Sequence, residues 1–433
     1  MAPTRATSTF ASPGRARAVG HWRAQLDRKS NGGLPILPPL EYYGVHMFLA
    51  FAKQEFLSRN EAACRKIAAG DVDVALVFSA SNQYYLTGYS AGSSYTPQVL
   101  IVPADGSQPT LITRTMDALT ATLTAYLDDA HVVALPESFI GVSDKDGFDF
   151  ICSHVSSMGY SSMRIGVELS TGYLGATTWE KMKRLLPNAK FSDITGVITQ
   201  LRTVKSPAEM VYMRQAAAIS DLAMAAAVDA VGPGVRECDA AAAIVAALAR
   251  GTDEFGGSQV CNPAMPAGIR QKAPHLYWTD SPYKAGAGVN IELAGNRFKY
   301  VSPLSRTISV GEPSKALGNL HATVLEAMGC AVEQMKPGNL CATVSDAFQK
   351  VIVPRGYTKT SRIGYSIGID WMEGTASLQK SDTTELVPNM TFHMICGMWE
   401  EKDVSCVLSE SFLITEQGAE SLSKMPRKMF VKN

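Results

Sequence analysis

Two side chains that can exchange protons stand in apolar surroundings in the second half of the sequence. The first is His275, in the segment Ala-Pro-His-Leu-Tyr-Trp, where Pro274 restricts the backbone before it and the aromatic neighbours are expected to exclude water. An imidazole titrates near neutral pH, so it can accept a proton and then return it. A histidine beside aromatic residues can also be purely structural, and both interpretations of His275 remain open from the residues alone.

The second is Glu292, inside the apolar run Val-Asn-Ile-Glu-Leu-Ala-Gly, which predicts a buried strand. A buried carboxylate is costly unless it is paired or used, and the loss of water raises its pKa toward the range that suits proton transfer. Its negative charge could also bind an amidinium or guanidinium group. The alternative for Glu292 is a structural ion pair with Arg297 or Arg306.

Two further glutamates could supply a second carboxylate that orients a cationic substrate or assists protonation of a leaving group. Glu410 lies between Leu408 and Phe412 in a Ser-Glu-Ser motif, and Glu373 closes the segment Trp-Met-Glu that begins at Trp371. We predict that Glu410 is catalytic and that Glu373 binds substrate. An exposed loop position is the alternative for Glu373.

Ring-bearing side chains of the same region are predicted to form the wall of a pocket. A phenol such as that of Tyr365 can donate or accept a hydrogen bond. Aromatic residues at strand spacing are also common in ordinary cores, which is the alternative for the whole set. The predicted wall consists of Tyr365, Trp371, Phe392, His393 and Trp399.

These residues must be positioned by strands and helices, and the hydrophobic pattern predicts two successive parts. Alternating strands and helix-like segments predict an α/β domain at residues 51–200. A long Ala-rich helix at 208–231, closed by Gly232-Pro-Gly234, opens a second domain at residues 201–433. The other predicted helices are 56–67, 237–250, 315–335 and 343–355, and the predicted strands are 72–78, 99–103, 111–113, 132–135 and 165–168, with longer strands after Gly288.

Composition narrows the class of protein. The chain has 433 residues, and its 40 basic and 40 acidic residues give no net charge, so a small molecule is a better expected partner than nucleic acid or an anionic surface. The eight cysteines form no CxxC pair and are predicted to be reduced thiols of a cytosolic enzyme. No apolar run is long enough to cross a bilayer, so no membrane contact is predicted.

The start of the chain has its own composition. The first 26 residues contain Arg5, Arg15, Arg17 and Arg23 and no acidic residue, as organellar transit peptides do. The alternative is a disordered extension, since Pro3 and Pro13 interrupt any helix. We therefore predict that residues 1–50 form an N-terminal extension, poorly ordered or transit-like at its start, on a cytoplasmic protein.

Several segments resemble the M24 "pita-bread" family, which includes aminopeptidases, prolidases, creatinase and ectoine hydrolase. They are residues 201–216, 273–278, 291–295, 300–307, 364–368, 388–393 and 409–415. Ile-Glu-Leu-Ala-Gly, followed by Tyr-x-x-Pro-Leu-Ser-Arg-Thr, is most similar to the ectoine hydrolases, and residues 79–89 resemble the amino-terminal domain of creatinase and prolidase relatives. The resemblance implies a creatinase-like α/β domain followed by a pita-bread catalytic domain, in which helices flank a curved antiparallel sheet.

The resemblance also locates five positions that hold two metal ions in other family members. Those members use two Asp, one His and two Glu, because hard or borderline divalent ions prefer carboxylate and imidazole ligands. The corresponding residues here are Glu292, Pro303, Tyr365, Ile395 and Ser409, with Glu410 beside the last. One carboxylate, or two if Glu410 is counted, is too few for two cations, so we predict no metal and no other cofactor.

Further expectations follow from the resemblance. His275 corresponds to the acid/base residue of creatinase, and a homodimer is implied in which a loop of one amino-terminal domain closes the partner's site. That loop is residues 90–95 here, so Tyr95 is predicted to contact substrate. The sequence departs from the ectoine-hydrolase pattern in this loop, at Tyr300-Val-Ser-Pro303 where Tyr-His-Cys-Pro is expected, and at Val407 where a Glu is expected. These departures affect which substrate can be held.

The leading hypothesis is a metal-independent hydrolase of a non-peptide C–N bond in a small cationic or zwitterionic compound, of the ectoine, hydroxyectoine or creatine kind. His275 and Glu292 would act as acid and base, or Glu292 as nucleophile. The alternatives are a metal-dependent Xaa-Pro-type aminopeptidase or dipeptidase, a lyase acting on an osmolyte, and a catalytically inactive binding module.

Overall fold

A six-stranded mixed sheet forms the first layer of the protein, whose computed structural model describes residues 48–93, 95–141, 145–171, 174–401 and 404–433. The strand order is β4-β3-β2-β1-β5-β6, with β1 parallel to β5 and antiparallel to β2. Its strands are β1 Val74–Val77, β2 Val99–Pro103, β3 Thr110–Arg114, β4 Val132–Leu135, β5 Arg164–Val167 and β6 Lys190–Asp193. Its helices are α1 Lys53–Ala69, α2 Ala80–Thr87, α3 Thr115–Thr124, α4 Gly147–Ser157 and α5 Ala176–Leu185.

The second layer is a seven-stranded sheet in the order β13-β8-β11-β10-β9, in which β7 also pairs with β8 and β12 with β11. All pairs are antiparallel except that of β13 with β8. Its strands are β7 Gly288–Arg297, β8 Tyr300–Val310, β9 Gly364–Ser366, β10 Thr391–Ile395, β11 Ser409–Thr415, β12 Gly418–Ser421 and β13 Phe430–Lys432. Helix α6, Val197–Leu201, packs on α1 of the first layer. The helices of the second half are α7 Pro207–Ala230, α8 Glu237–Arg250, α9 Lys315–Glu333 and α10 Cys341–Ile352. The predicted curved antiparallel sheet flanked by helices, preceded by an α/β layer, is confirmed.

Helix α7 begins where the sequence provides a complete N-terminal cap. The Ser206 hydroxyl accepts a hydrogen bond from the Glu209 amide at 3.2 Å, and the Glu209 carboxylate accepts one from the Ser206 amide at 2.8 Å. Pro207 occupies the first turn, where its missing N–H costs nothing. The predicted start of this helix is therefore confirmed within one residue.

Helix α7 packs closely on β7 at Gly295. A Cβ atom at this position would lie 2.8 Å from the Ile219 side chain and would collide with the Ala216 carbonyl oxygen. Only glycine permits this approach, so the close packing accounts for the glycine that ends Ile-Glu-Leu-Ala-Gly. The contact also fixes the strand that carries Glu292.

The second sheet has one apolar and one polar face. Ile291, Leu293, Leu304 and Ile308 belong to a buried core shared with α7 and α8. Because successive side chains in a strand point to opposite faces, Glu292 and the alternate residues of β8 point away from these helices. The polar face is therefore the one available for chemistry.

A buried polar cluster connects the two layers. Arg202 donates to the Asn82 amide oxygen at 2.8 Å, to Asp370 at 2.6 Å and to Glu373 at 2.7 Å, and Ser81 donates to Asp370 at 2.5 Å. The described residues from 48 to 433 belong to one compact unit. The domain boundary at residues 200 and 201 stays a prediction, and the predictions for residues 1–47 lie outside the described part of the chain.

Two general expectations can be compared with the structure. All eight cysteines are free thiols, and five of them are buried. Among the helices of the described ranges, none combines the length and the apolar character that crossing a membrane requires.

Candidate active site

A cavity of about 600 Å³ lies at the polar face of the second sheet. The sheet contributes Glu292 from β7, Tyr365 from β9 and Ile395 from β10. The remaining wall comes from segments between the regular elements, and its members used below are Cys261, His275, Tyr277, Lys359, Arg362, Trp371 and Trp399.

Strand register places all five positions of the metal-binding pattern on this face. Glu292 pairs with Ser305, Ser305 with Ser409, and Ser409 with Ile395, which forms one row across four strands. A neighbouring row holds the other two positions: Pro303 accepts a hydrogen bond from Ser411, and Ser411 and Tyr365 both pair with His393.

The side chains at these positions do not fit a dinuclear metal centre. Proline and isoleucine offer no ligand atom, and a protonated phenol and a serine hydroxyl are weak ligands, so Glu292 is the single carboxylate of the set. Across the described ranges, no group of three or more His, Cys, Asp or Glu side chains is arranged to hold a metal ion.

Glu292 has no ionic partner among the residues that the structure describes. Arg297 instead donates to the Gln215 side chain at 3.2 Å, and Arg306 pairs with Glu410 at 2.5 Å. The predicted structural alternative, an ion pair of Glu292 with either arginine, is therefore wrong. Burial raises the pKa of the Glu292 carboxyl to about 7, because removal from water disfavours the charged form.

His275 reaches the same cavity from an irregular segment that follows a 3₁₀ turn at Gly268–Lys272. The side chain is exposed, and its neighbours Leu276 and Tyr277 are 42% and 55% exposed. The expectation that aromatic neighbours exclude water from His275 is therefore wrong for the single chain, because this segment runs over the surface without a covering element.

Three of the predicted aromatic residues line the cavity. The Trp371 indole N–H donates to the Tyr365 hydroxyl at 3.1 Å, which fixes the two rings relative to each other. The Trp399 ring packs directly on Gly397, where a Cβ atom would overlap it. Tyr365, Trp371 and Trp399 are thus placed where a ligand could meet them, and their contact with substrate stays a prediction.

His393 does not line the cavity. It is fully buried behind Tyr365, with Nδ1 at 3.2 Å from the Tyr365 hydroxyl and Nε2 at 2.7 Å from the Ser409 hydroxyl. Burial lowers the pKa of His393 to about 3, so its ring is neutral near pH 7. The structure does not place His393 at the cavity wall, and its predicted role in substrate binding stays a prediction that this position does not support. The predicted place of Phe392 in the pocket wall is wrong, since its ring lies in the apolar core on the opposite face of β10.

Glu410 is not placed for catalysis either. Its carboxylate accepts hydrogen bonds from Arg306 at 2.5 Å and from Ser421 at 2.8 Å, and it is buried away from the cavity. Strand alternation explains the error: in β11, Ser409 points to the polar face, so the next side chain must point to the other face. Ser409, not Glu410, therefore occupies the position of the metal-binding Glu.

Glu373 also lies outside the cavity wall. Its side chain is fully buried, it pairs with Arg202 at 2.7 Å, and the Asp370 amide donates to it at 3.2 Å. The alternative of an exposed loop position is wrong, and the predicted contact with substrate stays a prediction that this position does not support. Glu373 instead anchors the segment that carries Trp371.

Tyr95 is not among the residues that line the cavity of its own chain. The side chain is 73% exposed, and its hydroxyl accepts a hydrogen bond from Arg114 at 3.4 Å. An exposed position is compatible with reaching a second subunit, and the contact with a partner's substrate stays a prediction.

Two cationic side chains and a thiol line the cavity although they were not among the predicted site residues. They are Arg362, Lys359 and Cys261. The Arg362 guanidinium lies over the Tyr365 ring, 4.6 Å from its centroid, and Lys359 donates to the Gly397 carbonyl at 2.7 Å. Burial lowers the pKa of the Lys359 ammonium and raises that of the Cys261 thiol. Lys-Thr-Ser-Arg immediately precedes the Gly-Tyr-Ser motif, and that proximity was a signal available in the sequence.

Comparison with known proteins agrees with this geometry. Residues 211–416 match the sequence profile of metallopeptidase family M24, and residues 59–204 match that of the creatinase/prolidase N-terminal domain. The chain is 39% identical over 381 residues to the uncharacterized hydrolase/peptidase y4tL of Sinorhizobium fredii, covering 88% of this chain and 97% of that protein. It is 32% identical over 400 residues to the ectoine hydrolase of Halomonas elongata, covering 90% of this chain and 100% of that enzyme.

A solved structure with the same fold is the Xaa-Pro dipeptidase from Bacillus anthracis. It superposes with a TM-score of 0.74 at 20% identity, over 87% of this chain and 99% of that one. Identity at this level supports the pita-bread fold and says nothing about the substrate.

Proposed function

This chain belongs to metallopeptidase family M24 and carries the family's creatinase/prolidase N-terminal domain, and we propose that it is a hydrolase. We propose further that it is metal-independent, because the side chains at the five metal-binding positions do not suit two metal ions. Its substrate is a small cationic or zwitterionic compound of the ectoine, hydroxyectoine or creatine kind, in which it cleaves a non-peptide C–N bond. Similarity to the ectoine hydrolase of Halomonas elongata supports this substrate class.

The observation that carries the proposal is the state of Glu292. It lines the cavity without an ionic partner among the described residues, and burial raises its pKa to about 7. A carboxyl with this pKa is partly ionised at neutral pH and is a stronger base than an ordinary glutamate. It can therefore activate water, or attack carbon itself, near neutral pH.

The charges around the cavity favour a zwitterion. Glu292 is the one acidic side chain of the described wall, and Arg362 and Lys359 supply positive charge to the same wall. An amidinium-type group would lie beside Glu292, and a substrate carboxylate would lie beside the cations. Arg362 has no carboxylate partner among the described residues, so its charge remains available to a ligand.

The proposed reaction adds one water molecule across the scissile bond. Ionised Glu292 accepts a proton from water as the water oxygen bonds to the amidine-type carbon, and the electron pair of the C=N bond moves to nitrogen. His275 then gives a proton to the leaving nitrogen while the C–N bond breaks, and the added hydroxyl group loses its remaining proton to solvent as its oxygen becomes the carbonyl oxygen of the product. If Glu292 attacks directly, its carboxylate oxygen bonds to the carbon and the protonated nitrogen leaves, and a second step is needed in which water cleaves the bond between Glu292 and the substrate carbon.

The main rival is a metal-dependent Xaa-Pro peptidase, because the family to which the chain belongs is a metallopeptidase family. Such an enzyme needs ligands that Pro303 and Ile395 do not provide. Elimination from an osmolyte and a non-enzymatic binding role are the remaining alternatives. Elimination would give a product to which no water has been added, and a binding module would give no product.

The decisive experiment uses metal-stripped full-length protein. It is incubated separately with ectoine, hydroxyectoine, creatine and an Xaa-Pro dipeptide, and products are identified by mass spectrometry in H₂¹⁸O. We expect ring opening or urea release with one ¹⁸O in the product, and loss of turnover in Glu292→Gln and His275→Ala. Dipeptide cleavage that requires added Mn²⁺ or Co²⁺, or a product without ¹⁸O, would overturn the proposal.

The same proposal includes the assembly and location expected from the sequence. A homodimer would bring the exposed Tyr95 of one protomer to the cavity of its partner, in a cytoplasmic protein. Light scattering gives the mass in solution, and a Tyr95→Ala variant is expected to raise KM. A monomer with full activity would contradict the dimeric site.

A further inference from the structure

Four side chains form a hydrogen-bonded series that starts at a buried serine and ends at the cavity. The Ser409 hydroxyl lies 2.7 Å from His393 Nε2, and His393 Nδ1 lies 3.2 Å from the Tyr365 hydroxyl. The Trp371 indole nitrogen lies 3.1 Å from the same Tyr365 oxygen. Tyr365 and Trp371 line the cavity, whereas Ser409 and His393 are fully buried behind them.

The hydroxyl proton of Ser409 determines which group donates and which accepts in each hydrogen bond of this series. Within the described residues, His393 Nε2 is the one group within hydrogen-bonding distance of the Ser409 hydroxyl. A buried O–H without an acceptor is costly, whereas an unused lone pair on the same oxygen costs less. Ser409 therefore donates its proton to Nε2, and Nε2 is the unprotonated nitrogen of the ring.

The neutral ring of His393 must then carry its proton on Nδ1, which donates to the Tyr365 oxygen. An indole N–H can only donate, so Trp371 donates to that oxygen too. Both lone pairs of the phenol oxygen are thus occupied. The phenol proton therefore points to neither His393 nor Trp371, and because Tyr365 lines the cavity, a ligand there can accept it.

We propose that Tyr365 is a catalytic residue whose hydroxyl donates a hydrogen bond to the substrate nitrogen that gains electron density when the attacked carbon becomes tetrahedral. Trp371, His393 and Ser409 are positioning residues, since they act through the Tyr365 oxygen. No proton is transferred in this step. The inference rests on the proposed function for the identity of the reacting atoms, but not for the direction of the hydroxyl.

The arrangement suits this role. Tyr365 on β9 and Glu292 on β7 line one cavity, and strands β8, β11 and β10 lie between them in the sheet. A nucleophile or base can thus approach the carbon from one side while a donor stabilises the displaced electron pair from another. Burial and the charge of Glu292 raise the pKa of Tyr365, so the phenol keeps its proton at physiological pH.

The series also explains what replaces the metal-binding pattern here. Tyr365 and Ser409 occupy the positions where metal-dependent relatives have a His and a Glu ligand. In this chain the two positions are the ends of a neutral hydrogen-bonded relay. The Tyr365 hydroxyl could consequently stabilise the electron density that develops on the substrate without the help of a metal cation.

The first test needs no substrate. ¹⁵N NMR of histidine-labelled protein distinguishes the two tautomers of a neutral imidazole, and the His393 signal is assigned by its loss in His393→Asn. We expect the proton on Nδ1 and no change of protonation between pH 6 and 8. A proton on Nε2 would direct the phenol proton to His393 and overturn the inference, whether or not a substrate has been found.

The second test measures the effect on catalysis. Tyr365→Phe is expected to lower kcat about 100-fold with little change in KM. The control is Tyr283→Phe, which removes a buried hydroxyl without a hydrogen-bond partner among the described residues and is expected to leave kcat unchanged. His393→Leu is expected to lower kcat about tenfold, His393→Asn to restore most of that loss, and His393→Leu to cause no further loss in the Tyr365→Phe background.

An unchanged kcat in Tyr365→Phe would overturn the inference. It would also be overturned if His393→Leu lowered kcat in the Tyr365→Phe background by the same factor as in wild-type protein. If His393→Leu does not fold, Tyr365→Phe and the tautomer decide. If wild-type protein hydrolyses none of the compounds, the proposed function fails, and the NMR result still decides the direction of the hydroxyl.

Discussion

Glu292 and His275 line one cavity but differ in their access to water. Glu292 lies on a strand and is largely removed from solvent, which raises its pKa to about 7, whereas His275 lies in a surface segment and is exposed. The base or nucleophile therefore works where charge is poorly solvated, and the proton donor can be reprotonated from solvent.

Activity should increase with pH through about 7, because Glu292 acts in its ionised form and its pKa is raised to about 7. The measurement is kcat/KM of wild-type protein from pH 5.5 to 8.5 at constant ionic strength. A rate that is independent of pH over this range, with the same substrate and intact fold, would exclude Glu292 as the titrating base.

Replacement of Glu292 by Gln should stabilise the fold at alkaline pH. The folded-state pKa lies above the ordinary value of 4.5, so the folded protein binds this proton more tightly than the unfolded chain, and stability is lost as pH rises from 4.5 through about 7. At pH 8 the ionised carboxylate costs the folded state up to ~3 kcal/mol. Urea unfolding at pH 8 should show the variant to be more stable than wild type, with a much smaller difference at pH 5. Equal stability at both values would contradict the raised pKa.

His275→Ala should lower kcat by about 10²- to 10⁴-fold, the usual contribution of a general acid or base. Since His275 is exposed, imidazole added to the buffer should enter the cavity and restore part of the rate. His131→Ala, which removes a histidine that contacts Thr110 in the first layer, is the matched control and should leave the rate unchanged. Normal turnover in His275→Ala would assign the proton transfer to another group.

Glu410→Gln should affect stability and not chemistry. The carboxylate pairs with Arg306 in a fully buried site, and loss of one partner leaves an uncompensated charge that costs about 3–5 kcal/mol of unfolding free energy. Glu420→Gln breaks the exposed pair with Arg214 and should cost less than about 1 kcal/mol. Chemical denaturation measures both, and kcat of the folded variants should equal that of wild type. A large loss of kcat in folded Glu410→Gln would restore its predicted catalytic role.

Removal of metal should leave turnover unchanged. Glu292 is the single carboxylate among the five positions of the metal-binding pattern, and the other four side chains cannot replace the missing ligands. Protein dialysed against a chelator should keep its kcat, and elemental analysis should find less than one Mn, Fe, Co or Zn per subunit. Two tightly bound ions, whose loss abolishes activity, would contradict the proposed chemistry.

The sequence predicted the regular elements well because their signals are local. The bounds of β2, β4 and α8 agree with the predicted segments, and helix α7 starts within one residue of its prediction. Hydrophobic alternation, capping residues and glycines act over a few positions, so a single sequence contains them. Residues that line the cavity from a strand, such as Glu292, follow from the same alternation.

The assignments that failed depend on contacts between distant parts of the chain. Glu410 faces Arg306, 104 residues earlier in the chain, and Glu373 faces Arg202 at a separation of 171 residues. No pattern within a motif shows that such a carboxylate is already neutralised. The exposure of His275 was missed for a related reason, since water exclusion depends on which element covers a segment and not on the residues beside it.

Arg202 joins Asn82 of the first layer to Asp370 and Glu373, which flank the tryptophan of the cavity wall. That wall is consequently rigid before any ligand arrives, and binding loses little conformational entropy in ordering it. Discrimination between similar small molecules would then depend on shape and charge that exist in the free protein.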